Sequence, residues 1–260
     1  EEIHLRASAG ASNPVAWLLV QRGRVAQRNA ERFVYGGDSA GLEREFRSAD
    51  SLFAAAEVAD AKWAEPVTLR AALAFRRSRL EAGNPALIRK WVEIGVRLAD
   101  RALAMDGNNA DALEVRGSLR YWSWLANIDA DASKKEASLL AAEADLDKAT
   151  TLNPRQASAW AVLVSLYYNS PTGTMQEVYL SAQRALEADE FQKDVDKVLH
   201  RLVLAAYDLP LFDKAEQFCT EFRRRFPADF RATKCRLYLL AAPEHGLNGG
   251  MRDVIAEAWR

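Results

Sequence analysis

The chain has 260 residues, 35 basic against 36 acidic side chains, a formal net charge of −1 and 49% apolar residues. That is enough apolar material to bury a core, and the balanced, interspersed charge excludes the basic footprint of a nucleic-acid-binding protein. Ala (47) and Leu (31) outnumber the β-branched Ile (5), Val (16) and Thr (7), a bias toward helix that excludes a β-sandwich or barrel.

The chain opens on Glu1-Glu2, with neither a Met nor a signal peptide, and reads as a piece cut from a longer protein. Its longest apolar runs, among them Val15 to Val20, Leu202 to Tyr207 and Leu237 to Ala242, are six residues each. A bilayer needs about 20, so no transmembrane segment is predicted. A first pair of helices begins near Asn13, with Trp17 on the first helix and Ala49, Phe53 and Ala56 on the second, and breaks near Ala61. The next break, near Gly107, lies in Arg101-Ala-Leu-Ala-Met-Asp106-Gly-Asn-Asn-Ala-Asp-Ala-Leu113. A gapless copy, Lys148-Ala-Thr-Thr-Leu-Asn153-Pro-Arg-Gln-Ala-Ser-Ala-Trp160, breaks at Pro154. Looser copies run from Ala56 to Val67, Arg184 to Val195 and Phe222 to Phe230, the last two breaking near Glu190 and Pro227. A helix from Phe230 to Ala242, a loop from Pro243 to Gly250 and a helix from Met251 to Arg260 close the chain.

These copies share a helix ending in Ala-x-x-x-Asp/Asn, a short break and a new helix, and in this they resemble the tetratricopeptide repeat family. The resemblance implies an all-α fold: a right-handed α-solenoid of helix pairs forming one domain over 1–260. Successive breaks are 46, 47, 36 and 37 residues apart, against a family period of about 34, so the helices are expected to be longer than usual. The excess of about 12 residues in two units corresponds to roughly three helical turns shared between both helices. Small residues at Ala71, Ala102, Gly117, Ala149 and Ala185 allow close helix crossings, and Trp63, Trp91, Trp160, Phe46, Phe53, Leu163, Leu166, Leu199, Leu202 and Phe222 form the expected core. The stretch Tyr35 to Phe46, with Arg116 to Trp122 and Pro154 to Trp160, is also similar to the repeat extensions of some bacterial serine/threonine protein kinases, although the chain holds no kinase motif.

Carried onto this chain, the family's concave wall places one aromatic per unit at Phe75, Tyr121, Tyr168 and Tyr207. The same stripe carries Glu65, Thr68, Asp111, Glu114, Ser118, Ser158, Ser165, Asn169, Lys197, His200, Arg231 and Lys234. It implies a groove for a peptide or protein segment, acidic near its middle and basic toward the C-terminal end, where Lys197, Arg231 and Lys234 would meet an acidic group. The alternative for the tyrosines is partly buried packing. The family's Lys/Asn clamp for a terminal carboxylate is absent, since Leu18 and Arg22 stand at its first-unit positions.

Tyr121, Trp122 and Trp124 form a cluster that reads either as a binding hot spot or as a seam between helices. Asp129-x-Asp131 lacks the further ligands of a calcium loop and reads as a helix start, while Arg223-Arg224-Arg225 complements a helix C-terminus. Cys219 and Cys235 fall on adjacent helices and read as two buried thiols, with a bridge as the alternative. His4, His200 and His245 are scattered, and no catalytic, metal or cofactor motif occurs, so no enzyme activity and no cofactor are expected. The expected role is a protein-interaction scaffold. The alternative is a sensory extension of a signalling enzyme that binds a small ligand or its own catalytic domain, with the Tyr121/Trp122/Trp124 cluster as its pocket.

Overall fold

The structure, a computed structural model, describes residues 10–128 and 131–240. The terminal helix expected from Met251, the loop from Pro243, His4, His245 and Asp129 lie outside the described residues. Among the described residues there are eleven helices and no strand. They are α1 (Pro14–Gly36), α2 (Ser39–Ala59), α3 (Glu65–Leu80), α4 (Pro85–Met105), α5 (Ala110–Leu125), α6 (Ala132–Leu152), α7 (Ala157–Asn169), α8 (Met175–Ala188), α9 (Val195–Asp208), α10 (Phe212–Arg225) and α11 (Phe230–Leu240).

Helix starts follow from local chemistry. Asn13, Asp38, Asn84 and Asn109 cap α1, α2, α4 and α5, each side-chain oxygen accepting a backbone N–H of the first turn at 2.8–3.2 Å. Thr174 and Glu177 form a reciprocal capping box on α8. Pro14 and Pro85 occupy first-turn positions, where a missing N–H costs nothing. Asp131 accepts the Ser133 N–H at 2.9 Å, which makes it a helix-start residue. Between α1 and α2, Gly37 takes φ 70°, the left-handed conformation that ends a helix without a Cβ clash.

The chain divides between Lys148 and Ala149, inside α6, into two compact units. In unit 1, α1 pairs with α2 and α3 with α4, and α3 also packs on α2 and α5. In unit 2, α7 pairs with α8 and α9 with α10, and α9 also packs on α7, α8 and α11. First helix thus lies against first helix within each unit. The extra length of the two long repeats sits mainly in their second helices: α4 and α6 have 21 residues where α8 and α10 have 14. Their first helices differ less, 16 residues in α3 and α5 against 13 in α7 and 14 in α9.

Phe46, Phe53, Trp63, Leu73, Leu119 and Leu146 are buried in unit 1, and Leu163, Leu166, Leu199, Leu202 and Phe222 in unit 2. Each such side chain contributes about 1.5–3 kcal/mol relative to exposure. Trp91 and Trp160, expected in the core, are only half-buried. Arg77 lies 3.9 Å from the Trp91 ring, and Trp160 donates its indole N–H to the Pro154 carbonyl at 3.0 Å, so each has a polar partner near the surface. At the α5–α6 crossing a Cβ on Gly117 would stand 2.8 Å from Leu146 Cγ and 3.0 Å from the Ala142 carbonyl, which is why only glycine fits. The reading of Cys219 and Cys235 as free thiols is corrected: they form a disulfide between α10 and α11, with Cα atoms 5.8 Å apart.

Candidate functional site

In unit 1, residues of α1, α3 and α5 line a cleft of about 560 Å³. Arg24, Glu65, Thr68, Asp111 and Glu114 contribute to it, with the buried Trp63 beside them. The sequence-predicted Glu65, Thr68, Asp111 and Glu114 are therefore brought together. Arg24 ion-pairs with Glu65. Burial nevertheless pushes the Glu65 carboxyl pKa up, aided by the negative charge of Asp111 and opposed by Arg24. Thr68 turns its hydroxyl inward to the Ala64 carbonyl at 3.1 Å. Arg24 escapes sequence reasoning because it sits in the first unit, where the repeat pattern is faintest.

The other candidates in unit 1 lie elsewhere. Tyr121 is 7% exposed, so it belongs to the core, stacked on Trp124 with ring centroids 6.0 Å apart. Phe75 and Trp122 pack against the cluster of Ile88, Val92, Leu119 and Ile128. Arg79 covers the Trp122 ring at 4.1 Å. Within this cluster Trp122 of α5 thus meets α3 and α4, while Tyr121 and Trp124 stack along α5 itself.

In unit 2 the first helices bring rings and cations onto one face. Arg201 on α9 lies 4.7 Å from the Tyr168 ring on α7, and Tyr207 on α9 meets Tyr238 on α11 at 6.2 Å. Lys234 stands 5.4 Å from the Tyr238 ring; its hydrogen bond to Tyr238, with smaller attraction from Tyr238 and Tyr168, raises the lysine pKa. His200 is half-buried beside Phe222. Burial, reinforced by Arg231, Arg201 and Lys234 against Asp229, pushes its pKa down to about 4, so its imidazole is neutral at pH 7.

Two of the three cations expected to meet an acidic group are ion-paired to carboxylates of the protein itself. Arg231 is held by Asp229 at 2.5 Å and by Asp196 at 2.6 Å, and Lys197 by Asp194 at 2.5 Å. Asp229 and Asp194 sit two and three residues before their bases, a spacing visible in the sequence. Asn169 donates to the Ser165 carbonyl one turn back at 2.8 Å. Arg201 and Tyr238 are the members that sequence reasoning missed, because their contacts cross between helices and leave no local pattern.

Among the described residues no group of three or more His, Cys, Asp or Glu side chains is placed to hold a metal ion. Nor is any described helix long and apolar enough to cross a membrane.

The architecture defines a class, the helix-hairpin repeat proteins. Comparison with solved structures narrows it to the tetratricopeptide-repeat fold. TTC0263, a thermophilic tetratricopeptide repeat protein of Thermus thermophilus, is similar over 85% of this chain and 98% of its own, with 14% sequence identity and a TM-score of 0.53. A tetratricopeptide repeat protein of Parabacteroides merdae is similar over 91% of this chain and 77% of its own, at 16% identity and a TM-score of 0.45. BtubC (BKLC) of P. vanneervenii gives 17% identity and a TM-score of 0.37, over 79% of this chain and 90% of its own. No family model matches the chain, and no curated protein matches it in sequence.

Proposed function

We propose that this chain is a protein-interaction scaffold, and that in unit 2 it receives an acidic peptide segment along the face of α7, α9 and α11. The observation that carries this reading is the juxtaposition of Tyr168, Arg201, Tyr207, Lys234 and Tyr238 from three successive first helices. Half-buried tyrosines offer large rigid area at small entropic cost, and each ends in a hydroxyl that hydrogen-bonds a peptide backbone. Lys234 is exposed and, like any lysine, charged at neutral pH. In unit 1 the cleft beside Glu65, Asp111 and Glu114 gives the scaffold a stretch of opposite charge.

The test uses two immobilised peptide pools, one of Asp/Glu-rich sequences with interspersed aromatics and one of Lys/Arg-rich sequences. The full chain is expected to retain the acidic pool, more weakly as salt rises, and Lys234→Glu to weaken it by about tenfold or more. Tyr168→Ala combined with Tyr238→Ala should do the same while circular dichroism stays helical. Equal retention of both pools, or capture indifferent to Lys234→Glu, would remove the reading.

A further inference from the structure

The chain has two cysteines, and both lie at one junction, where Cys219 of α10 meets Cys235 of α11. The Cα separation of 5.8 Å is the ordinary span of a disulfide, and the two residues are 2% and 1% exposed. Their surroundings are apolar: both belong to the cluster that contains Val198, Leu202 and Leu239. The buried contacts of α11 are otherwise modest, since Ala232 and Leu239 are its other buried residues, whereas α9 buries Val195, Val198, Leu199, Leu202, Val203, Ala205 and Ala206. A helix with so little apolar anchorage gains more from a covalent tie than one seated deep in the core.

We infer that an oxidative step completes this protein: a disulfide-bearing partner supplies the Cys219–Cys235 bond before α11 docks, and the bond then holds Arg231, Lys234 and Tyr238 on their face. The thiolate of one cysteine attacks a sulfur of the partner's disulfide, forming a mixed disulfide and releasing one partner thiolate. The second cysteine's thiolate attacks the first cysteine's sulfur, closing the protein's S–S bond and expelling the partner's other thiolate. The two protons lost by the cysteines end on the partner's two thiols. The protein is oxidised by two electrons and the partner reduced by two. Burial in the docked state shields both sulfurs from an incoming thiol, so exchange belongs to the undocked chain and the finished bond resists reduction while the fold is intact. The chemistry places maturation in an environment that sustains disulfides.

The test needs no ligand, so it stands or falls apart from the peptide reading. The full chain is refolded either with oxidised and reduced glutathione or with dithiothreitol, and thiols are counted in denaturant. The glutathione product is expected to show no titratable thiol. Hydrogen exchange should then find the amides of 230–240 faster by about tenfold or more in the dithiothreitol product, with 157–208 unchanged. Cys219→Ser combined with Cys235→Ser should match the reduced wild type. Two titratable thiols after glutathione refolding, or equal exchange of 230–240 with and without the bond, would overturn the inference.

Discussion

In unit 1, Arg70 of α3 reaches Asp50 and Glu57 of α2, Arg76 reaches Glu31 of α1, and Arg116 of α5 reaches Asp100 of α4 and Asp145 of α6. In unit 2, Arg231 crosses from α11 to Asp196 of α9, but Arg184–Glu187, Lys197–Asp194 and Arg224–Glu221 each close within one turn. Rings and a disulfide do the crossing there instead. The unit 1 pairs lie along the seams themselves: Asp50 stands mid-helix between the buried Ala49 and Phe53, and Asp145 beside the buried Leu146. Both units rest on an apolar core, to which one adds cross-helix ion pairs and the other a covalent tie.

The sharpest way to break this comparison is Asp145→Ala. Asp145 is 5% exposed and accepts from both Arg116 and Arg120, at 2.5 Å each in its shortest contacts. Its hydrogen bonds are also the largest cause of the raised Arg116 pKa. Removing the shared anion leaves two guanidinium groups facing a partly desolvated site, and a loss of about 3–5 kcal/mol is expected in urea unfolding. A loss below about 1 kcal/mol would show that the arginines escape to water and that charge does not organise unit 1. Next in size is Gly117→Ala, which pushes α5 from α6 and should cost about 1–3 kcal/mol in the same assay.

His200 tests unit 2 by pH. Its folded pKa of about 4 lies below its ordinary 6.5, so between those values the unfolded chain binds a proton that the folded chain refuses. Stability is then undiminished above about pH 6.5 and falls as pH drops toward 4. His200→Gln should flatten that part of a denaturant-midpoint-against-pH curve, and an unchanged slope would show that His200 is more solvated than its position implies. The smallest effect is reserved for Arg184→Ala: its pair with Glu187 is exposed on both sides, and a change within about 0.5 kcal/mol is expected by thermal melting.

Much of the fold is legible in the sequence because the repeat ends are chemically explicit. At the break near Gly107 the Asp106 N–H closes the last turn of α4 on the Ala102 carbonyl at 2.9 Å, and Asn109 caps α5 three residues later. Both events join residues three or four apart in the chain, the first backbone to backbone and the second side chain to backbone, so the sequence displays them. Register across helices is another matter. The rule that assigns one aromatic per unit to the wall does not distinguish Tyr121, which turns into the core, from Tyr168 and Tyr207, which keep an edge outward. Nor does the spacing of Cys219 and Cys235 disclose a Cα separation set by how α11 lies on α10. The likeness to extensions of bacterial kinases rests on the sequence alone.

Glu57 holds Arg70 of α3 and also Arg101 of α4, while itself standing on α2. A carboxylate gripped from two other helices makes the three positions unequal. Losing Glu57 takes a partner from both arginines at once, whereas losing either arginine leaves the other pair in place, and Arg70 keeps Asp50 besides. Drift is therefore cheaper at the two bases of this node than at the acid they share.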